Sequence, residues 1–202
     1  MTRWQLRLRL AEATGITLTL SKKQRDKLAS TYERQSDIAM ENENYSDAFH
    51  SIAKAILLKP CDEALYLKRG LCMQELEQYE KAIEDFNEAL RIKPDFAEAL
   101  NGLGNIKSFT GDNGSAIEYY TKAIAIKPDY AIAIYNRGVS KADLGDHAGA
   151  IEDYNKSLDI DPDNGEAYYN RGISKWELEG EAGFDDSKRD IDMGIELSKQ
   201  DE

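Results

Sequence analysis

Two histidines and two cysteines are the side chains best suited to metal binding, nucleophilic attack or proton transfer. His50 and His147 stand 97 positions apart, and neither has a second His or a Cys at metal-ligand spacing. His147 sits in the run LGDHAG and reads as a solvated turn residue, while His50 reads as an ordinary helix residue. Cys61 and Cys72 form neither a CxxC nor a disulfide framework, which fits a reducing, cytoplasmic setting. The glycine-rich GDNG at Gly111–Gly114 lacks the preceding strand that a phosphate-binding loop needs. The acidic runs ENEN and EGEAGFDD could attract a cation, but they read as solvated turns. No GxSxG or comparable nucleophile–base motif is present. The expectation is therefore a non-enzyme with no catalytic residue, no cofactor and no metal.

The elements that would position any site show a repeat. All four prolines, Pro60, Pro94, Pro128 and Pro162, are spaced 34 residues apart. Small residues keep the same step at Gly70, Gly104, Gly138 and Gly172, and at Ala48, Ala82, Ala116 and Ala150. Large apolar residues keep it at Ile52, Phe86, Tyr120 and Tyr154. Within a period, EALYLKRGLCMQEL and YEKAIEDFNEALRI are two apolar-periodic stretches with a short link. The K-P-D that follows ends the second, because proline disfavours helix in the residue before it and cannot continue the hydrogen-bond ladder. Small columns fall where two helices of a hairpin approach to about 8–10 Å.

Composition narrows the class of partner. The formal net charge of −12 argues against nucleic acid, whose phosphates reward a basic surface. Residues 1–28 carry a net +5, so a basic leader precedes an acidic body. No apolar run approaches the length of a membrane-spanning helix. Alternation of Trp4, Leu6, Leu8 and Leu10, then Ile16, Leu18 and Leu20, leaves three readings of the leader open: a short hairpin, a flexible segment, or an Arg-rich targeting peptide that would send the chain to an organelle. Ser21 to Gln24 fits a capping box opening the first long helix.

The spacing and residue types resemble the tetratricopeptide repeat family, most closely in AIAIYNRGVSKADLGDHAGAIEDYNKSLDIDPDN. The resemblance implies an all-α, right-handed superhelical solenoid of about five helix–turn–helix repeats. Their bounds would be 29–62, 63–96, 97–130, 131–164 and 165–198, with a leader at 1–28 and a tail at 199–202. The fifth repeat aligns with three extra residues, placing Ser187, Ile191 and Gly194 in the small and apolar columns, and its last helix reads as a polar cap.

The resemblance also implies a function. Family members bind peptides along a concave groove lined by the first helix of each repeat. Carrying those columns over gives Leu67, Leu71 and Glu75, then Glu98, Asn101 and Asn105, then Ile132, Tyr135, Asn136 and Val139, then Glu166, Tyr169, Asn170, Ile173 and Trp176. Asn105, Asn136 and Asn170 would grip an extended backbone, and the aromatic half would anchor apolar side chains. The clamp by which some members hold acidic chaperone tails needs Lys then Asn in one repeat, Asn in the next, and Lys then Arg in the third; only Asn105 and Asn136 match and the cations are missing, so such tails are not the expected ligand. The expected partner is a protein or peptide, basic or neutral, with apolar anchors. The chain reads as an interaction adaptor or scaffold; a holding chaperone and a self-assembling structural module are the alternatives.

Overall fold

A computed structural model describes residues 20–199. The leader readings based on Trp4 to Leu18, and most of the 199–202 tail, lie outside the described residues. The chain divides into two compact units, split between Asp95 and Phe96. In the first unit the helices are α1 (Lys22–Glu41), α2 (Tyr45–Leu58), α3 (Glu63–Glu75) and α4 (Tyr79–Ile92). In the second they are α5 (Ala97–Phe109), α6 (Asn113–Ile126), α7 (Ala131–Asp143), α8 (His147–Ile160), α9 (Gly165–Glu179) and α10 (Phe184–Ser198). They pair as hairpins, α1 with α2 and so on to α9 with α10. The class is all-α, and the architecture is the expected helix–turn–helix repeat.

Local chemistry sets the helix ends. The Ser21 side chain accepts from the Gln24 backbone N–H, and the Gln24 side chain accepts from Ser21 N–H, so the capping box forms. Asn44, Asp62, Asp112, Asp146 and Asn164 cap later helices in a similar way. Lys59, Lys93, Lys127 and Asp161 each precede a proline, and each leaves helical geometry with ψ between 72° and 94°. Inside the hairpins the turn needs a left-handed residue. Gly111 and Gly145 supply it at φ 82° and 81°, whereas Glu43 and Glu77 are held at φ 55° and 56°. A residue with a Cβ is strained there by roughly 1–2 kcal/mol.

The small columns lie where the hairpins close. A Cβ on Gly70 would stand 2.6 Å from the Phe86 ring, and one on Gly104 would stand 2.5 Å from the Tyr120 ring. Ala48, Ala82, Ala116 and Ala150 are fully buried. In the last hairpin a 3-10 turn at Gly180–Gly183 accommodates the extra residues. Ser187 and Gly194 are then buried, and Ile191 faces Gly172, as the three-residue shift requires.

A column of ion pairs went unread in the sequence. Arg69 chelates Asp85 with two hydrogen bonds of 2.6 and 2.7 Å. Arg137 holds Asp153 at 2.7 and 2.8 Å, and Arg171 holds Asp190 at 2.7 Å through both nitrogens. The sequence separation is 16, 16 and then 19, which fixes the register of α10. Leu103 and Tyr119 occupy the column in the α5–α6 hairpin, so it lacks the pair. The signal was legible as Arg before Gly70, Gly138 and Gly172 and Asp before Phe86, Tyr154 and Ile191.

Burial separates the two thiols. Cys61 is exposed, whereas burial raises the pKa of fully enclosed Cys72 to about 11. A maleimide at pH 8 should therefore label one thiol per native chain, at Cys61, and two after denaturation. Mass spectrometry showing rapid native labelling of Cys72 would mean the first unit opens locally.

Candidate functional site

The candidate groove residues fall in both units. Leu67 and Leu71 are half-buried on α3 of the first unit. Glu75 ends the same helix, and the remaining twelve lie on α5, α7 and α9 of the second unit, where α7 touches both α5 and α9. Three first helices thus run side by side, and their shared face is the candidate site.

The apolar part of that face is open. Ile132 is 55% exposed, Tyr169 44%, Ile173 38% and Trp176 41%. Tyr135 and Val139 are half-buried beside them. An open groove of about 550 Å³ is lined by Tyr135, Glu166, Tyr169 and Asn170 together with Ile195, Ser198 and Lys199 from α10. The α10 contribution was not foreseen, because family columns point only to first helices. A smaller hollow of about 280 Å³ lies between Val139, Asp143 and His147 on one side and Ile173, Ser174 and Glu177 on the other. His147 is the first residue of α8, half-buried, with Nδ1 enclosed and unpartnered; the solvated-turn reading is corrected, because Asp146 caps the helix and His147 lies inside it.

The amides are not a free ladder. Asn136 Nδ2 donates to Asn105 Oδ1 at 3.0 Å and to Asn101 Oδ1 at 3.5 Å. Asn105 Oδ1 also accepts from the Tyr120 hydroxyl at 2.9 Å. Asn101 is buried, so it serves this internal network rather than the surface. Asn170 Nδ2 donates to the Tyr135 hydroxyl at 2.8 Å. Among the described residues, the carbonyl oxygens of Asn136 and Asn170 accept no hydrogen bond and stay available to a ligand N–H. Burial, then the adjoining Glu166 carboxylate, raises the Tyr135 phenol well above its usual value, so it remains a neutral donor and acceptor. Among the described residues no cluster of His, Cys, Asp and Glu is built to hold a metal. The arrangement is suited to non-covalent recognition: aromatic anchors, two outward carbonyls and one carboxylate.

Comparisons with known proteins agree with this architecture. The family described as Tetratricopeptide repeat matches residues 61–129, and a second, TPR repeat, matches residues 140–178. Heat shock protein STI1 of Saccharomyces cerevisiae is 29% identical over 85 residues, which is 42% of this chain and 14% of that protein. The chain thus spans about one seventh of the length of that curated relative. Among solved structures, MamA from Desulfovibrio magneticus RS-1 aligns over 85% of this chain and 96% of its own, with 17% identity and a TM-score of 0.70. YrrB, described as a TPR protein with an unusual peptide-binding site, aligns over 82% of this chain and 84% of its own, with 20% identity and a TM-score of 0.62. At these identities the structural likeness speaks to the fold alone. Repeat spacing, paired helices and two matching repeat families converge: the chain belongs to the tetratricopeptide repeat family.

Proposed function

We propose that this chain is an interaction adaptor that holds an extended peptide segment of a partner protein along the shared face of α5, α7 and α9. The observation that carries the reading is the exposure of Ile132, Tyr169, Ile173 and Trp176 on one face. Large side chains left open together favour a binding role, and tyrosine and tryptophan are the common anchors of interfaces. The Asn136 and Asn170 carbonyls would accept from the peptide backbone, which is sequence-tolerant, while the aromatic side chains would select apolar residues.

Charge narrows the partner. Residues 96–202 carry 22 acidic against 11 basic side chains, and Glu166 sits at the groove. A basic or neutral peptide with one or two apolar anchors fits; an acidic chaperone tail does not. The Asn105 and Asn136 amides that match the chaperone-tail clamp are bonded to each other. We place the adaptor in the cytoplasm, where free thiols such as exposed Cys61 are stable. The boundaries we propose remain a leader at 1–28, five repeats over 29–198, and a tail at 199–202. No helix among the described residues is long and apolar enough to cross a membrane.

The test is selection of peptides from a displayed random library, followed by titration against wild type and an Ile132→Ala, Tyr169→Ala, Trp176→Ala variant. All three positions are exposed, so circular dichroism should be unchanged. Affinity should fall at least tenfold, since anchor truncations cost about 1–2 kcal/mol each or more. Selected sequences with scattered apolar residues and no shared motif would favour the holding-chaperone alternative. Peptides that bind the variant undiminished would remove the groove from consideration.

A further inference from the structure

Repeat equivalence allows each residue to be compared with its counterparts one period away. Ile56 on α2 and Leu158 on α8 are 4% and 7% exposed, and each helix is followed by another hairpin. Their counterpart on α10 is Ile195, which is 44% exposed. At the opposite end, Cys72 on α3, Ser140 on α7 and Ser174 on α9 are at most 1% exposed. Their counterpart on α1 is Ile38, which is 49% exposed. Leu90 and Ile124, in the same column as Ile195, are half-buried, so one face of α1 and one face of the α9–α10 hairpin carry isoleucines at positions that are buried or half-buried elsewhere.

The two faces also match in shape. The hollow lined by Val139, Ala142, His147 and Tyr154 is closed by the next first helix, which lays Ser174 and Ile173 over it. The counterparts in the last hairpin are Ile173, Trp176, Phe184 and Ile191, and they line a cavity of about 320 Å³. Phe184 is 50% exposed and meets Trp176 edge-on at 6.1 Å. This surface is more apolar than the one it repeats, which contradicts the reading of α10 as a polar cap. The α1 residue in the Ser174 column is Ile38, a larger and apolar plug for a larger and apolar cavity.

Polar and charged groups agree. Arg137 donates to Thr121 on the preceding helix at 3.2 Å, and Arg171 donates to Asn155 at 2.7 Å. The counterparts across the open faces are Gln35 on α1, a donor, and Asp192 on α10, an acceptor. Helix α1 carries a net +1, with 5 basic and 4 acidic residues, against a net −5 over 165–198, with 4 basic and 9 acidic. Opposite charge would steer the two faces together.

We infer that the α9–α10 face receives α1 of a second copy of this chain, continuing the repeat from one molecule into the next. The contact is heterologous, with Ile38 of one copy set against Trp176, Phe184 and Ile195 of the other. Unless the rotation closes a ring, such a contact propagates as a chain of molecules. It shares Trp176 and Ile195 with the peptide groove, whereas Ile38 lies on none of the groove helices and so reports on stacking alone.

Light scattering of the full chain over a wide concentration range tests this, using Ile38→Glu and Phe184→Glu with folding checked by circular dichroism. Wild type should gain mass with concentration past the dimer, and less so at high salt. Each variant alone should stay monomeric. An equimolar mixture should form a 1:1 dimer and stop there, because each variant retains one intact face. Wild type that remains monomeric throughout, variants that associate as wild type does, or a mixture that stays monomeric would overturn the inference. At chain concentrations below self-association Ile38→Glu should leave peptide affinity unchanged, so failure of stacking and failure of groove binding can be told apart.

Discussion

Replacing Asp153 by alanine lowers the unfolding free energy of the second unit by about 3–5 kcal/mol. Asp153 is 1% exposed and receives Arg137 in a two-bond fork and Lys141 at 2.8 Å. Arg137 and Lys141 side chains are only 15% and 20% exposed. Alanine would strand both cations, leaving Arg137 a bond to Thr121 and Lys141 a bond to the Gly149 carbonyl. Against a typical stability of about 5–15 kcal/mol this is a large loss. The control is Asp186, whose pair with Arg189 is 63% and 74% exposed; Asp186→Ala should cost about 0.5 kcal/mol or less.

Acid should act on the same group. Burial works to raise the Asp153 pKa, but hydrogen bonds from Arg137 and Lys141 outweigh it and hold the carboxyl below its usual 3.8. Asp190 is lowered in the same way by Arg171 and Lys175. A carboxyl depressed in the folded state stabilises fully above its unfolded value, and that contribution fades as pH falls through the folded one. Urea unfolding at neutral pH and near pH 3 should show the deficit of Asp153→Ala shrinking in acid. A mutant within about 1 kcal/mol of wild type at neutral pH would mean the pair is only incidental to stability.

Gly194→Val should destabilise the last hairpin by about 3 kcal/mol, the upper end for overpacking. The magnitude follows from what an added side chain would meet. A Cβ at Gly194 would stand 2.6 Å from the Gly165 carbonyl oxygen and 2.9 Å from the Tyr169 nitrogen, both backbone atoms of α9. Backbone cannot rotate aside, so the two helices must separate. At Gly70 the obstacle is the Phe86 ring, which can tilt, and the cost should be smaller. Gly114 meets nothing within 4 Å in α6, so Gly114→Ala should hold or raise stability by up to about 1 kcal/mol. Thermal unfolding of the three variants gives the order directly; Gly194→Val melting with Gly114→Ala would refute the close-packed crossing.

Much of this was readable in the chain because a repeat turns one observation into several. Pro60, Pro94, Pro128 and Pro162 mark the helix ends since the residue before each is driven extended, a purely local effect. For α10 the spacing of Ser187 and Gly194 offered a register with three extra residues, and the Arg171–Asp190 pair fixes it. Partnership was not readable. Asn105 and Asn136 were expected to face a ligand, yet they bond to each other across adjacent helices, 31 residues apart. A periodic pattern shows which face a residue takes, not which neighbour it meets there. The exposure of Ile195 was hidden for a related reason: it occupies a column that is apolar in internal repeats, and only the fold shows it open.

The account rests most on the shared face of α5, α7 and α9 as the place where a partner peptide lies. Photo-cross-linking tests it directly, with benzoylphenylalanine placed at Tyr169 in one chain and at exposed Lys122 on α6 in another, each mixed with a selected peptide. Cross-links at position 169 and none at 122, mapped by mass spectrometry, are the predicted result. Cross-links at 122 with position 169 silent would contradict it and move the binding surface to the second helices.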